Sequence, residues 1–382
     1  MDFELTDEQQ QLQSSIAHFA RKELAEDAVA RAMSPEFPWD VAARLADLGA
    51  LGITVAERHG GVGGTLVDAI LTIQAVAEHC PRSADVVQAG NFGAIRTFAE
   101  FSSDAQKARF LPDLLAGRAI MAVGMTEPEA GSAVTDLKTS ATAVDGGYKV
   151  NGTKIFGTHS AEANVFLVYL RFGPGLGGVG SVLIEKGTPG FRIGTPSSFM
   201  NGEEWCQLYF DDCFVPEENV LLGPGGFKKQ ISGFNIERLG NAARSVALGR
   251  YALTLATRYA TERTQFGRPL CEFQGLQWYF SEAATMIEAA QLLLMKAAVH
   301  ADRGLPSAQE TAMAKLACNH AGHFAADRAL QVLGAHGFSQ ESIIQYCVRR
   351  TRGWMIAGGS TEMLKNRIAE GIFERRFNQR PG

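Results

Sequence analysis

Apolar residues recur at helical spacing from residue 1 to about 120 and again after about 225, and between these stretches they gather into short strand-like runs. Near the start, Thr6 followed by Gln9 forms a capping-box pattern, after which Leu12, Ile16, Phe19 and Ala20 keep one face apolar. A second helical stretch carries Val41, Leu45, Leu48 and Leu51, and the cluster Gly60–Gly64 breaks it. Helical spacing resumes over Leu66 to His79, Ile95 to Phe101 and Phe110 to Leu115. The texture changes near 121, where Lys149-Val150, Val165 to Leu170, Val182 to Ile184 and Leu208 to Phe210 read as strands. Asp145-Gly146-Gly147, Asn151-Gly152 and Thr188-Pro189-Gly190 read as the turns between them. Beyond Pro224-Gly225-Gly226 the pattern predicts long helices over Phe227 to Glu262, Leu276 to Arg303, Ala308 to Leu333 and Glu362 to Phe377, suited to an antiparallel bundle. The expected architecture is mainly α with a central β domain: a helical domain over 1–120, a β domain over 121–224 and a helical bundle over 225–382.

Composition narrows the function. The 382 residues allow two or three domains at about 150 residues each. Net charge is −5 and no Lys/Arg block stands out, which argues against nucleic acid as a partner. No apolar run approaches the roughly 18 residues that span a bilayer. The first residues, MDFELTDEQQ, lack the basic-then-apolar pattern of a signal peptide. Six cysteines are scattered with no C-x-x-C pair, as expected of free packed thiols, so the cytoplasm is the expected location. The 41 glycines suggest several places where backbone approaches another group closely.

Several strings invite chemistry and do not sustain it. Gly175-Leu176-Gly177-Gly178-Val179-Gly180 matches G-x-G-x-x-G, but strands flank it on both sides, so a hairpin loop is expected and not a dinucleotide fingerprint. His320 and His323 share a helical face with Cys318 nearby, yet no complete ligand set accompanies them, and no metal is expected. No G-x-S-x-G is present.

Other strings are more informative. Thr126-Glu127-Pro128-Glu129-Ala130-Gly131-Ser132 is a polar loop after the apolar stretch 120–124, able to offer hydroxyls and N–H groups to a ligand or to serve as a plain domain-linking turn. Glu237 lacks the basic helical partner a surface glutamate usually has; Gly233, Phe234, Gly240 and Asn241 occupy those positions. That environment suits a carboxylate in a cleft, where partial desolvation would raise its pKa towards that of a working base, or an unpaired surface residue. Arg263-Thr264-Gln265-Phe266-Gly267 reads as the end of the long helix, with an arginine, a glutamine and an aromatic in one turn. Gln331 to Phe338 reads as a helix with a glycine cap, and Ser360 or Thr361 as the cap of the last helix.

Together and in this order these strings resemble the acyl-CoA dehydrogenase family of flavoproteins over essentially the whole chain. The landmarks are Thr126-Glu127-Pro128 with Ala130-Gly131-Ser132, Val150-Asn151-Gly152 with Lys154, Phe214-Val215-Pro216, Arg263 with Gln265-Phe266-Gly267, Gln331 with Leu333-Gly334, and Gly359-Ser360-Thr361-Glu362. The resemblance implies an N-terminal helical domain, a β-barrel-like middle domain, a C-terminal four-helix bundle, bound FAD and a homotetramer. It assigns Met125, Thr126, Gly131, Ser132, Phe156 and Thr158 to the flavin, with Phe156 where many relatives have tryptophan. Arg263, Gln265, Phe266, Gln331 and Gly334 would hold the FAD of a neighbouring subunit, and Ser360 and Glu362 would complete the cofactor site. Ser132, Asn235, Arg238, Ala357 and Gly359 would meet the thioester.

The implied chemistry is α,β-dehydrogenation of an acyl-CoA thioester, with an external electron-transfer flavoprotein, or oxygen, as acceptor. Many members carry the base as a glutamate just before the glycine of the last loop; this chain has Gly358 there, which can donate its N–H but cannot take a proton. Isovaleryl-CoA and long-chain acyl-CoA dehydrogenases carry the base on the long helix before an arginine, and the matching pair is Glu237-Arg238. Ala133 departs from the aspartate usual after the serine, and Arg96 lies in a helix that lines the acyl pocket in this family. Two alternatives remain: an acyl or aminoacyl group tethered to a carrier protein, and a non-catalytic relative that binds FAD or a thioester.

Overall fold

The computed structural model describes residues 4–304 and 307–377. By contact within the chain it forms two compact units that do not follow chain order. One comprises residues 1–33, 65–85 and 238–382; the other comprises 34–64 and 86–237.

The second unit is built on an eight-stranded, mostly antiparallel sheet. Its strands run in the order Val220–Leu222, Val179–Glu185, Val165–Arg171, Ser140–Val144, Gly147–Lys154, Leu208–Pro216, Phe191–Ile193, and Met121–Gly124 pairs in parallel with Val165–Arg171. The run Val165–Leu170 is buried throughout, which explains why it reads as continuous apolar sequence and not as an alternation. Val165, Leu167 and Tyr169 belong to a core that includes Ile95 and Phe98 of the helix Ala94–Phe101 and Phe110 and Leu114 of the helix Asp104–Leu115. On the other face Phe166 meets the Phe191 ring edge-on at 4.9 Å. The hairpin between Val165–Arg171 and Val179–Glu185 contains the G-x-G-x-x-G string, as the flanking strands imply.

The first unit is helical. Phe227–Glu262, which crosses into it at Arg238, and Ala308–Leu333 have the expected ends, and the third long helix runs over Gln274–Asp302. Gly249 and Gly322 let two of these backbones touch: a Cβ on Gly322 would stand 2.1 Å from the Ser245 carbonyl oxygen. Thr6 and Gln9 form the capping box of the helix Asp7–Glu23.

Four local readings need correction. Asn151-Gly152 is not a turn but an irregularity inside the strand Gly147–Lys154. Gly152 sits at φ +145°, where a Cβ would come 2.5 Å from Thr139 Oγ1, and the Asn151 amide is tied to Asp212 at 2.8 and 2.9 Å. Arg263–Gly267 is not a helix end: the helix stops at Glu262 and Thr264–Gln265 pairs with Arg268–Pro269 as a small hairpin. The helix Trp39–Asp47 ends before Leu48 and Leu51, and the last helix is Thr361–Ile372, stopping before Phe377. The helix Ile343–Trp354 escaped the sequence reading.

Of the six cysteines, five are buried and all are free thiols. Among the described residues no helix is long and apolar enough to cross a membrane, and no group of three or more His, Cys, Asp or Glu stands ready to hold a metal ion.

Candidate active site

Glu237 lies half-buried on the long helix, within the second unit. Gln88, on the helix Ala84–Asn91, donates its amide Nε2 to Glu237 Oε2 at 2.8 Å. The same oxygen stands 3.5 Å from where a Cβ on Gly93 would be, and Gly93 has φ +66° and ψ −136° at the start of the helix Ala94–Phe101. That backbone region belongs to glycine, so the turn beside the carboxylate is kept bare. Asn235 and Arg238 are buried on either side of Glu237 in sequence. Arg96 meets Glu100 of its own helix at 3.5 Å and donates to the Thr54 carbonyl, outside that helix, at 3.3 Å.

The loop after Met121–Gly124 is held from within. Reciprocal backbone bonds of 3.1 Å between Glu127 and Ala130 close it. The Glu127 carboxylate turns inward and accepts from the Lys138 and Thr139 amides at 2.5 and 2.9 Å and from Lys154 Nζ at 2.7 Å. Burial pushes the Glu127 pKa up, but the Lys154 ammonium and these donors outweigh it and hold the group below the usual range. Burial takes Lys154 down to about 8 despite that carboxylate. Lys154 also donates to the Met125 carbonyl at 3.1 Å, and Ile155 N–H to that of Thr126 at 2.9 Å. Met125 and Thr126 are thus fixed while Gly131, Ser132 and Thr158 remain exposed. Phe156 is 50% exposed at φ +58°, its ring 4.4 Å from that of Trp205.

In the first unit, Gly358 and Gly359 have φ +73° and +97°. Arg238 Nε donates to the Gly358 carbonyl at 3.3 Å; burial and then Arg367 lower its pKa to about 10. Lys315 Nζ donates to the carbonyls of Gly359 and Trp354 at 3.1 and 2.8 Å. Ala357 is exposed. Ser360 caps the last helix through Met363 N–H at 3.4 Å, and Glu362 follows, exposed in its first turn. Elsewhere in this unit, buried Asp85 is bound by Arg82, Arg244 and Arg350 at 3.0, 2.7 and 2.9 Å; burial opposes the charge, but the three guanidiniums keep the carboxyl far below its ordinary pKa. His323 is tied to Thr351 Oγ1 at 3.1 Å.

Phe266 stands at the tip of the small hairpin with 95% of its surface exposed, and Arg263 and Gln265 beside it are exposed too. Gln331 and Gly334 are exposed at the end of Ala308–Leu333, with Gly334 as its cap at φ +58°.

Sequence reasoning missed Gln88, Lys315 and the Asp85 cluster. Gln88 sits in the apolar run Val86-Val87-Gln88-Ala89 and has no spacing relation to Glu237. In the Asp85 cluster only Arg82 stands close in sequence; Arg244 and Arg350 give no local signal.

A fixed polar loop, exposed hydroxyls, a half-exposed aromatic ring and a helix-borne carboxylate lie in the second unit, and comparison with known proteins shows the family. Residues 6–118, 122–213 and 224–373 match the N-terminal, middle and C-terminal domains of acyl-CoA dehydrogenase. The chain belongs to the acyl-CoA dehydrogenase family. It is 33% identical over 384 residues to acryloyl-CoA reductase (NADH) of Anaerotignum propionicum, covering 98% of this chain and 97% of that protein. It superposes on butyryl-CoA dehydrogenase of Megasphaera elsdenii with TM-score 0.92 at 30% identity, covering 98% and 100% of the two chains. It also resembles PigA, solved with FAD and proline, with TM-score 0.92 at 27% identity over 98% and 99%.

Proposed function

We propose that the protein is an FAD-dependent acyl-CoA dehydrogenase in which Glu237 is the base. The observation that carries this reading is the Glu237 carboxylate itself, half-buried, held by an amide from another helix and followed by a buried arginine. The residue types fit the cofactor: fixed backbone at Met125 and Thr126, accessible hydroxyls on Ser132 and Thr158, and the half-exposed ring of Phe156. Arg263, Gln265, Phe266, Gln331, Gly334, Ser360 and Glu362 complete the FAD set across subunits of a homo-oligomer, and the exposure of Phe266 supports that assignment.

Glu237 removes the α-proton of the thioester, which breaks the C–H bond and leaves the electron pair on the α-carbon. FAD held by these residues would supply the acceptor for the β-hydride. The Gly358 N–H stabilises the charge that develops on the thioester oxygen, while Arg238 and Lys315 hold the carbonyls of Gly358 and Gly359 and so fix that loop. Ser132, Asn235, Ala357 and Gly359 contact the thioester. Electrons leave to an external electron-transferring flavoprotein. The free, mostly buried thiols support a cytoplasmic location.

The test is Glu237→Gln, purified with FAD bound and mixed anaerobically with a panel of saturated acyl-CoAs. Flavin reduction is expected to fall to a slow residual rate, and reduction at the normal rate would refute the assignment. The resemblance to PigA, solved with FAD and proline, favours a second substrate class, an acyl or aminoacyl group on a carrier protein. Comparing CoA-bound with carrier-bound thioesters for flavin bleaching separates the two, and purified protein without FAD would instead point to a non-catalytic relative.

A further inference from the structure

Gln88 is 5% exposed, and among the described residues its side chain has one hydrogen bond, from Nε2 to Glu237 Oε2 at 2.8 Å. Its other end, Oε1, is buried without a partner among the described residues. The orientation follows from chemistry: an ionised carboxylate only accepts, so the NH2 end of the amide must face it and the carbonyl end must point away. An unpartnered buried acceptor is costly, and an apolar side chain of similar size would fill the same space without that penalty. Its neighbours in sequence, Val86, Val87 and Ala89, are apolar.

Resting on the reading of Glu237 as base, we propose that Gln88 is a positioning residue matched to both protonation states of Glu237. Before reaction its Nε2 donor pins one carboxylate oxygen and fixes the side chain. When Glu237 takes the α-proton it becomes an acid with an O–H donor. A half-turn of the Gln88 amide then presents Oε1 as the acceptor for that hydroxyl. The proton stays on Glu237 throughout; Gln88 neither gains nor loses one. The turn at Gly93 places no side chain against the same oxygen. The orphan oxygen is thus the half of the device that the resting enzyme does not use.

The experiment replaces Gln88 by methionine in the FAD-bound enzyme and measures anaerobic flavin reduction with the saturated acyl-CoA, from butyryl to palmitoyl, that reduces the wild type fastest. The expected result is a fall in kcat of about 10- to 100-fold, the scale of a misplaced catalytic group, with KM little changed and a larger isotope effect on α-dideuterated substrate. Combined with Glu237→Gln, the same change is expected to add nothing further. Reduction at the wild-type rate would overturn the proposal. So would an equal fall on the wild-type and Glu237→Gln backgrounds, which is what a merely structural role produces. If Glu237→Gln alone reduced flavin normally, the base assignment would fail and this inference with it. Should the methionine variant not retain FAD, Gln88→Leu removes the donor with an apolar side chain of another shape; it too is expected to be slow, and a normal rate would count against the proposal.

Discussion

Lys315 Nζ lies 2.8 Å from the Trp354 carbonyl oxygen and 3.1 Å from that of Gly359, so one buried ammonium ties together the end of a helix and the glycine pair that follows it. A Cβ on Gly358 would stand 3.3 Å from Lys315 Cε, so the lysine also fills the space below the backbone at 358. Gly358 and Gly359 thus lie in a tightly braced stretch of main chain.

Lys315→Met is therefore expected to free that loop. Two carbonyls lose a charged donor inside the fold, and a cost of roughly 3 kcal/mol follows. A lower Tm together with weaker thioester binding, read by calorimetry and by titration of the flavin spectrum, is the expected outcome.

Glu127 makes stability pH-dependent. Its folded pKa lies below its ordinary 4.5, so its contribution is complete above about pH 4.5 and is lost as the pH falls through the lowered value. Glu127→Gln is expected to melt well below the wild type at neutral pH. The gap should narrow on acidification below pH 4.5, as followed by Tm across a pH series.

Gly93→Ala puts a side chain at φ +66°, ψ −136°, and 3.5 Å from Glu237 Oε2. Strain in this region costs about 1–3 kcal/mol. A modest drop in Tm with a disproportionate loss of flavin-reduction rate is expected, because the turn borders the pinned carboxylate oxygen.

Phe266→Ala removes a ring that is 95% exposed and so contributes little to its own chain's folding. Urea unfolding of the FAD-free chain is expected to change by under about 0.5 kcal/mol. FAD affinity, measured by equilibrium dialysis, is expected to fall, as the assignment of this residue to a neighbouring subunit's cofactor requires.

The amino-acid sequence by itself determined the alternation of helical, strand and helical texture, the ends of Phe227–Glu262 and Ala308–Leu333, the Thr6–Gln9 cap, and the singular position of Glu237 on its helix. Those features rest on periodicity and capping, which act over a few residues. Where the same local signal has two uses, it misled. Asn151-Gly152 is turn chemistry absorbed into a strand by Thr139 and Asp212, and Arg263–Gly267 became a hairpin once the helix had stopped. Only the tertiary structure decided that Gln88 holds Glu237, that Lys315 braces Gly359, and that Asp85 gathers three arginines. These partners lie as far apart as residues 85 and 350. Hydrogen bonds and ion pairs act through space, and no spacing along the chain encodes them.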